Sequence, residues 1–249
     1  MQRIDQQQGG MNREEFRAAL SLSSVYALRM LGLFMILPVF ALYATDLEGV
    51  TPSLTGLAIG IYGLTQAVLQ IPAGLLSDRI GRKPVIVGGL LVFALGSVVA
   101  ALADSMLVVI LGRALQGAGA IAAAIMALAA DLTREQHRIK AMALIGMSIG
   151  LSFALALVLG PVLNDWVGVP GIFAITAVLA LGGILVVLLV VPHPVVSRPH
   201  RVAEAIPAQF GRVLRHTQLL RLDFGILMMH AILTASFVVL PLILRDQAG

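Results

Sequence analysis

The chain has 249 residues, 59% of them hydrophobic and only 12% charged, about half the roughly 25% of a soluble domain. So few charges cannot cover a soluble surface, which excludes a disordered chain and an ordinary globular enzyme. The formal charge is +4 and cysteine is absent, so a disulfide framework, a thiolate metal site and a cysteine nucleophile are excluded too.

The first ten residues are polar and glutamine-rich and read as a disordered tail; residues 11–19 read as a short helix lying on the membrane surface. A spanning helix needs about 20 apolar residues, because the hydrocarbon core is about 30 Å thick and a helix rises about 1.5 Å per residue. Seven stretches meet this length: 20–44, 53–76, 85–103, 106–130, 141–163, 170–191 and 222–244. Backbone groups in lipid must bond internally, so an all-α integral membrane protein is expected. The first stretch is too long for a signal-peptide core and reads as a retained span.

Loop charges alternate in sign. One side carries Arg3, Arg13 and Arg17, then Arg79, Arg82 and Lys83, then Arg134, Arg138 and Lys140, then Arg198, Arg201, Arg212, Arg215 and Arg221. The other side's short loops carry Asp46, Glu48, Asp104 and Asp165 and no basic residue, with Arg245 the one exception to the pattern. The positive-inside rule puts the N-terminus in the cytoplasm, so 1–19 is a cytoplasmic tail. It also accounts for the basic balance without nucleic acid. Residues 192–221 hold Pro192, Pro194, Pro199 and Pro207 and read as a cytoplasmic linker. It separates a six-helix unit, 20–191, from 222–249, the first helix of an incomplete second bundle. Seven spans broken after the sixth suggest a partial chain.

An ionised side chain inside the bilayer costs about 2.5–3.5 kcal/mol, so one that persists faces protein or water. Arg29 lies roughly 14 Å into the first span and Arg113 roughly 10 Å into the fourth. Each is either part of a substrate or proton pathway, or a structural arginine that binds carbonyls or snorkels. No carboxylate sits mid-membrane. His230 is the candidate for a group that gains and loses a proton, its alternative being a packed core histidine. Gly56 with Gly60, and Gly146 with Gly150, are GxxxG pairs expected to make close helix contacts, as is Gly117 with its small neighbours. Pro161 after Gly160 permits a bend.

Between the second and third spans runs Gly74-Leu75-Leu76-Ser77-Asp78-Arg79-Ile80-Gly81-Arg82-Lys83-Pro84. Gly81 permits a positive φ, Pro84 suits a first helical turn, and Arg82 offers a fork for a carboxylate. The plainer alternative is a tight turn carrying the positive-inside signal.

This segment resembles the loop signature of the major facilitator superfamily, G-x-L-x-D-R-x-G-R-K. Arg113-Ala-Leu-Gln116-Gly117-Ala-Gly119-Ala120 is similar to that family's fourth-helix motif. Gly146, Gly150, Gly160 and Pro161 resemble its fifth-helix antiporter motif, with Asn164 and Asp165 in place of the trailing glycine pair. The segments 29–38 and 60–66 look like those of YajR-type bacterial drug/proton antiporters.

The resemblance implies a twelve-helix carrier of two six-helix bundles, each of 3+3 inverted repeats, working by alternating access in the bacterial inner membrane. It implies proton-coupled efflux of a small drug-like or metabolite substrate, driven by the proton gradient, with no cofactor or metal. Gly74, Asp78, Arg79, Gly81, Arg82 and Asp131 would form a latch that holds the cytoplasmic side shut. In it, the arginine pairs with Asp131 and Asp78 engages an eleventh helix. Arg29, Tyr62, Gln66, Arg113, Gln116 and His230 are the substrate and proton pathway candidates. The partners implied are the bilayer, the substrate, and the missing C-terminal helices in cis or a partner chain. A half-size membrane protein without transport activity of its own is the competing reading. No metal-ligand cluster, phosphate loop or nucleophile–base set supports an enzyme.

Overall fold

The computed structural model describes residues 10–192 and 215–248. The expected tail 1–9, and Arg198, Arg201, Arg212 and most of the expected linker, lie outside the described residues.

Helix α1 (Arg13–Met35) begins at Asn12, whose Oδ1 accepts from the Glu15 amide at 2.7 Å while Glu15 Oε2 accepts from the Asn12 amide at 2.9 Å. This capping box starts the first span itself. The separate surface helix expected over 11–19 is therefore not present: Ala18, Ala19 and Leu22 are buried, and the capped turn runs straight into the span. Pro38 ends α1 and opens α2 (Leu37–Tyr43), since a prolyl ring cannot continue the ladder behind it.

Helix α3 (Pro52–Ile80) is capped by Thr51 and leads through Gly81 (φ 100°) into α4 (Arg82–Ala101). The fourth expected span is broken. It comprises α5 (Met106–Ala118) and α6 (Ala122–Asp131), separated at Gly119 (φ −70°, ψ 45°). Helix α7 (Arg138–Leu189) has 52 residues, about 78 Å at about 1.5 Å each, more than twice the hydrocarbon thickness. Gly168 (φ 67°, ψ 177°) turns it back. Ser152 Oγ donates to the Ala27 carbonyl and Gly160 lies against Met35, so the first limb runs along α1. Thr176 Oγ1 donates to the Gly32 carbonyl and Gly183 faces Val25, so the second limb runs back. The backbone stays helical through Pro161, so the break falls at Gly168 and not at the expected bend. Only glycine adopts that φ without strain.

The described residues thus hold six apolar helical stretches long enough to cross a membrane, one of which makes two crossings. The protein is a multi-pass membrane protein with a helical bundle centred on α1. The last helix, α8 (Thr217–Ala248), stands outside that bundle, with no buried residue in its most apolar stretch. Phe237 touches Phe153 edge to face at 6.2 Å between centroids.

The bundle has two chemically distinct ends. At the acidic end the α2–α3 and α4–α5 turns meet, where the Met106 amide donates to the Glu48 carbonyl at 3.1 Å. At the basic end Lys83 Nζ donates to the Val191 carbonyl, and Glu15 grips Arg134. Glu15 Oε1 accepts from Arg134 Nε at 2.9 Å and from its amide at 2.8 Å, and Oε2 accepts from Nη2 at 3.0 Å. The Glu15 side chain is 5% exposed against 43% for Arg134. Glu15→Ala is expected to lower stability by about 1–3 kcal/mol, the worth of hydrogen bonds to a charged group. Thermal unfolding in nanodiscs measures this, and an unchanged midpoint would mean that the grip contributes nothing.

Candidate functional site

Besides the Glu15–Arg134 grip, two polar assemblies stand out in the bundle. The first lies at the basic end. Gly81 reverses the chain so that Arg82 points back beneath α3 and toward the end of α6. Arg82 Nη1 forms an ion pair with Asp78 and donates to Ser77 Oγ at 2.7 Å; Ser77 Oγ donates in turn to the Gly74 carbonyl. Arg82 Nε reaches Asp131 Oδ2 at 3.4 Å. The Arg82 and Asp131 side chains are 9% and 7% exposed, whereas Asp78 is 35% exposed and open on one side. Gly74 lets α3 approach α6, since a Cβ there would sit 3.3 Å from Ala123 Cβ. Arg79 is exposed. A shallow cavity of about 260 Å³ lies outside this node, lined by Gln70, Gly74, Asp78, Arg82, Ala123 and Ala127 among others.

The second assembly lies within the bundle. The Tyr62 ring has Arg113 Cζ 5.1 Å and Arg29 Cζ 5.7 Å from its centroid, and Phe93 lies 5.1 Å from Arg29 Cζ. Arg113 Nε donates to the Ala58 carbonyl at 3.2 Å and Nη1 to Gln116 Oε1 at 2.8 Å; Gln116 Nε2 passes the chain on to Ser97 Oγ. Arg29 Nη2 donates to Gln66 Oε1 at 3.1 Å and to the Gly119 carbonyl at 3.2 Å, at the break between α5 and α6. Tyr62 Oη also donates to Gln66 Oε1. Arene faces and carbonyls thus stand in for the carboxylates that buried guanidinium groups ordinarily need.

A cleft of about 560 Å³ opens beside this network, between α1–α3, α5 and α8. Tyr62 and Arg113 line it, and His230 faces it from α8, its Nδ1 2.9 Å from the Ile226 carbonyl of its own helix. Arg29, expected on the cavity wall, is fully buried in the bundle interior. Gln66 and Gln116 also stand back from the cleft and brace the two arginines.

The glycine expectations divide. Gly117 and Gly160 are pressed against the backbones of Tyr62 and Met35 respectively. Gly56 and Gly60 line the cleft instead of packing, and Gly146 and Gly150 are exposed with nothing within 4 Å of a Cβ. Those two GxxxG pairs make no close helix contact among the described residues: the first faces the cleft and the second the outside of the bundle. Glu15 and its Arg134 partner were not anticipated; the signal available was Asn12-x-x-Glu15 ahead of an apolar run.

Residues 22–249 match the profile described as Major Facilitator Superfamily. The chain is 55% identical over 236 residues to the inner membrane transport protein YajR of Escherichia coli (strain K12), covering 95% of this chain and 52% of that protein. It is 30% identical over 235 residues to the multidrug resistance protein MdtH of Aeromonas salmonicida (strain A449), covering 92% and 57%. Among solved structures, a bacterial homolog to the human lysosomal transporter Spinster, inward-facing and occupied, aligns with a TM-score of 0.65 at 19% identity. That alignment covers 82% of this chain and 50% of the other, and it speaks for the fold alone. The chain spans about half the length of the curated relatives it matches. With the loop signature folded into an ionic node and the fourth-helix arginine buried beside a cleft, the chain belongs to the major facilitator superfamily.

Proposed function

We propose that the chain forms the first half of a secondary active transporter that works by alternating access and exports a small drug-like or metabolite molecule against proton entry. Its basic end faces the cytoplasm, with the N-terminus inside. Residues 20–191 are the first bundle, 192–221 the cytoplasmic linker, and α8 the first helix of a second bundle. Further helices in cis, or a partner chain, complete the cavity.

One observation carries this reading. The cleft residues Gly56–Gly63 lie in the part of α3 near the acidic end, whereas the Arg82 node ties α3 and α4 to α6 at the other. A cleft on the outer side of a closed ionic node is what an outward-open carrier requires. The node is of the right strength to be reversible. A charge-assisted contact is worth about 1.5–3 kcal/mol, and the membrane potential supplies about 2.3 kcal/mol per charge per 100 mV. The exposed side of Asp78 leaves room for a contact from the second bundle.

These 249 residues hold no cysteine, so single-cysteine labelling, with any cysteine elsewhere in the full-length protein replaced by serine, tests the reading directly. Gly60→Cys places a thiol in open space on the cleft, and Ile80→Cys marks the basic end. In full-length protein in intact cells, an impermeant thiol reagent applied outside is expected to modify Gly60→Cys and spare Ile80→Cys. In inside-out vesicles, added substrate or a proton gradient should expose Gly60→Cys from the cytoplasmic face as well. Labelling of Ile80→Cys from outside would reverse the orientation. A Gly60 thiol reachable from one side only under all conditions would end the alternating-access reading.

A further inference from the structure

The charge balance of the bundle interior points to the kind of molecule the cleft takes. Three ion pairs lie at the basic end: Arg82 with Asp78, Arg82 with Asp131, and Arg134 with Glu15. Arg29 and Arg113 have only neutral partners, although both are buried and both lie within 6 Å of the Tyr62 ring centroid. Arg29 Nε and Nη1 have no hydrogen-bond partner. Two like charges sharing one aromatic ring in a low-dielectric interior raise each other's cost; ring faces and carbonyls offset it in part, and no carboxylate among the described residues pairs with either.

The cleft samples this field directly. Arg113 lines it, and among the described residues no aspartate or glutamate does. Its other polar lining groups are Tyr62, His230 and Thr234; the rest is glycine, alanine and bulky apolar side chains such as Leu33, Phe34 and Ile59. The volume of about 560 Å³ falls within the range of small-molecule sites. A cationic guest would meet a positive wall with no counter-charge, and a neutral guest would leave the arginines as they are. An anionic guest neutralises them and lays its apolar body on the aliphatic floor.

We propose that this cleft binds an organic anion, with a carboxylate or similar charged head against Arg113 and an apolar body along α1 and α3. Arg29 acts from behind Tyr62, deepening the positive field without touching the guest. The inference rests on the transporter reading for its physiological meaning, but the binding it predicts is independent of flux.

Equilibrium dialysis of full-length protein in zwitterionic nanodiscs tests it with radiolabelled 4-phenylbutyrate, 4-phenylbutylammonium and 4-phenylbutanol. The carboxylate is expected to bind at least tenfold more tightly than either of the others. Arg113→Gln should erase that difference, and Arg113→Lys should retain part of it. Should Arg113→Gln fail to fold, Gly60→Asp serves instead: it places a carboxylate in open space on the cleft wall and should weaken phenylbutyrate at least tenfold. Equal or tighter binding of the ammonium or the alcohol overturns the proposal. So does undiminished carboxylate preference in folded Arg113→Gln or in Gly60→Asp. If the carboxylate wins but the Gly60 thiol never becomes reachable from both sides, the anion site stands and the transporter reading falls. If the thiol alternates but the ammonium wins, the transporter reading stands and the anion site falls.

Discussion

Arg82→Ala in the full-length protein is expected to cut transport at least tenfold without changing the amount inserted in the membrane, and Asp78→Asn to do the same less severely. Arg82 holds three partners at once: Asp78, Ser77 and Asp131. Removing it leaves the Asp131 carboxylate, 7% exposed, without its cation. Breaking a buried pair from one side costs about 3–5 kcal/mol, although the 3.4 Å separation places this pair at the weaker end. At about 1.4 kcal/mol per tenfold, even the lower figure shifts the balance between the two open states roughly a hundredfold. Under the proposed alternating-access reading, the variant would rest with its cytoplasmic side open and seldom present an outward cleft. Asp78 is 35% exposed and solvent already screens it, so its neutral isostere should have the smaller effect. Arg79, exposed on the same loop, should tolerate alanine. Flux in proteoliposomes, normalised to reconstituted protein, measures all three variants. Wild-type flux in both Arg82→Ala and Asp78→Asn would dispose of the latch, and loss of inserted protein would make Arg82 a folding residue.

The spans were legible because hydropathy is a one-dimensional property: about 20 apolar residues reach across lipid whatever they touch. Helix azimuth was not legible. Gly56 with Gly60 and Gly146 with Gly150 have the spacing of a packing motif, yet they face the cleft and the outside of the bundle. Spacing fixes that two glycines share a face; it does not say what that face meets. The depth of Arg29 follows from counting residues, but the choice between a cavity-facing and a carbonyl-binding arginine depends on the break at Gly119, whose carbonyl it binds. The Arg82–Asp131 contact spans 49 residues and Glu15–Arg134 spans 119. The first was accessible only through the family's signature, and the second had no signature beyond a capping box. Both are products of tertiary packing, which local pattern does not encode.

The glycine contrast gives the second large effect. Gly117→Ala is expected to destabilise the bundle by about 1–3 kcal/mol, the usual cost of overpacking, and Gly117→Val to abolish folded protein. A Cβ at this position would overlap the Tyr62 carbonyl oxygen and the Thr65 hydroxyl. The carbonyl belongs to the α3 backbone and cannot swing aside. The hydroxyl is held too, donating to the Ile61 and Tyr62 carbonyls at 2.9 and 3.1 Å. Relief therefore requires α3 to draw away from α5 and carry Tyr62 with it, the ring on which both guanidinium groups rest. The damage should reach the cleft, so ligand binding should fall along with stability. Gly146→Ala and Gly150→Ala meet no neighbour among the described residues and gain the roughly 1 kcal/mol by which alanine is preferred to glycine inside a helix. Their unfolding midpoints should be unchanged or higher. Thermal unfolding of the four variants in nanodiscs decides the matter. A midpoint for Gly117→Ala at or above wild type would show that α3 and α5 do not press together at Tyr62, and the arginine-braced cleft would lose its support.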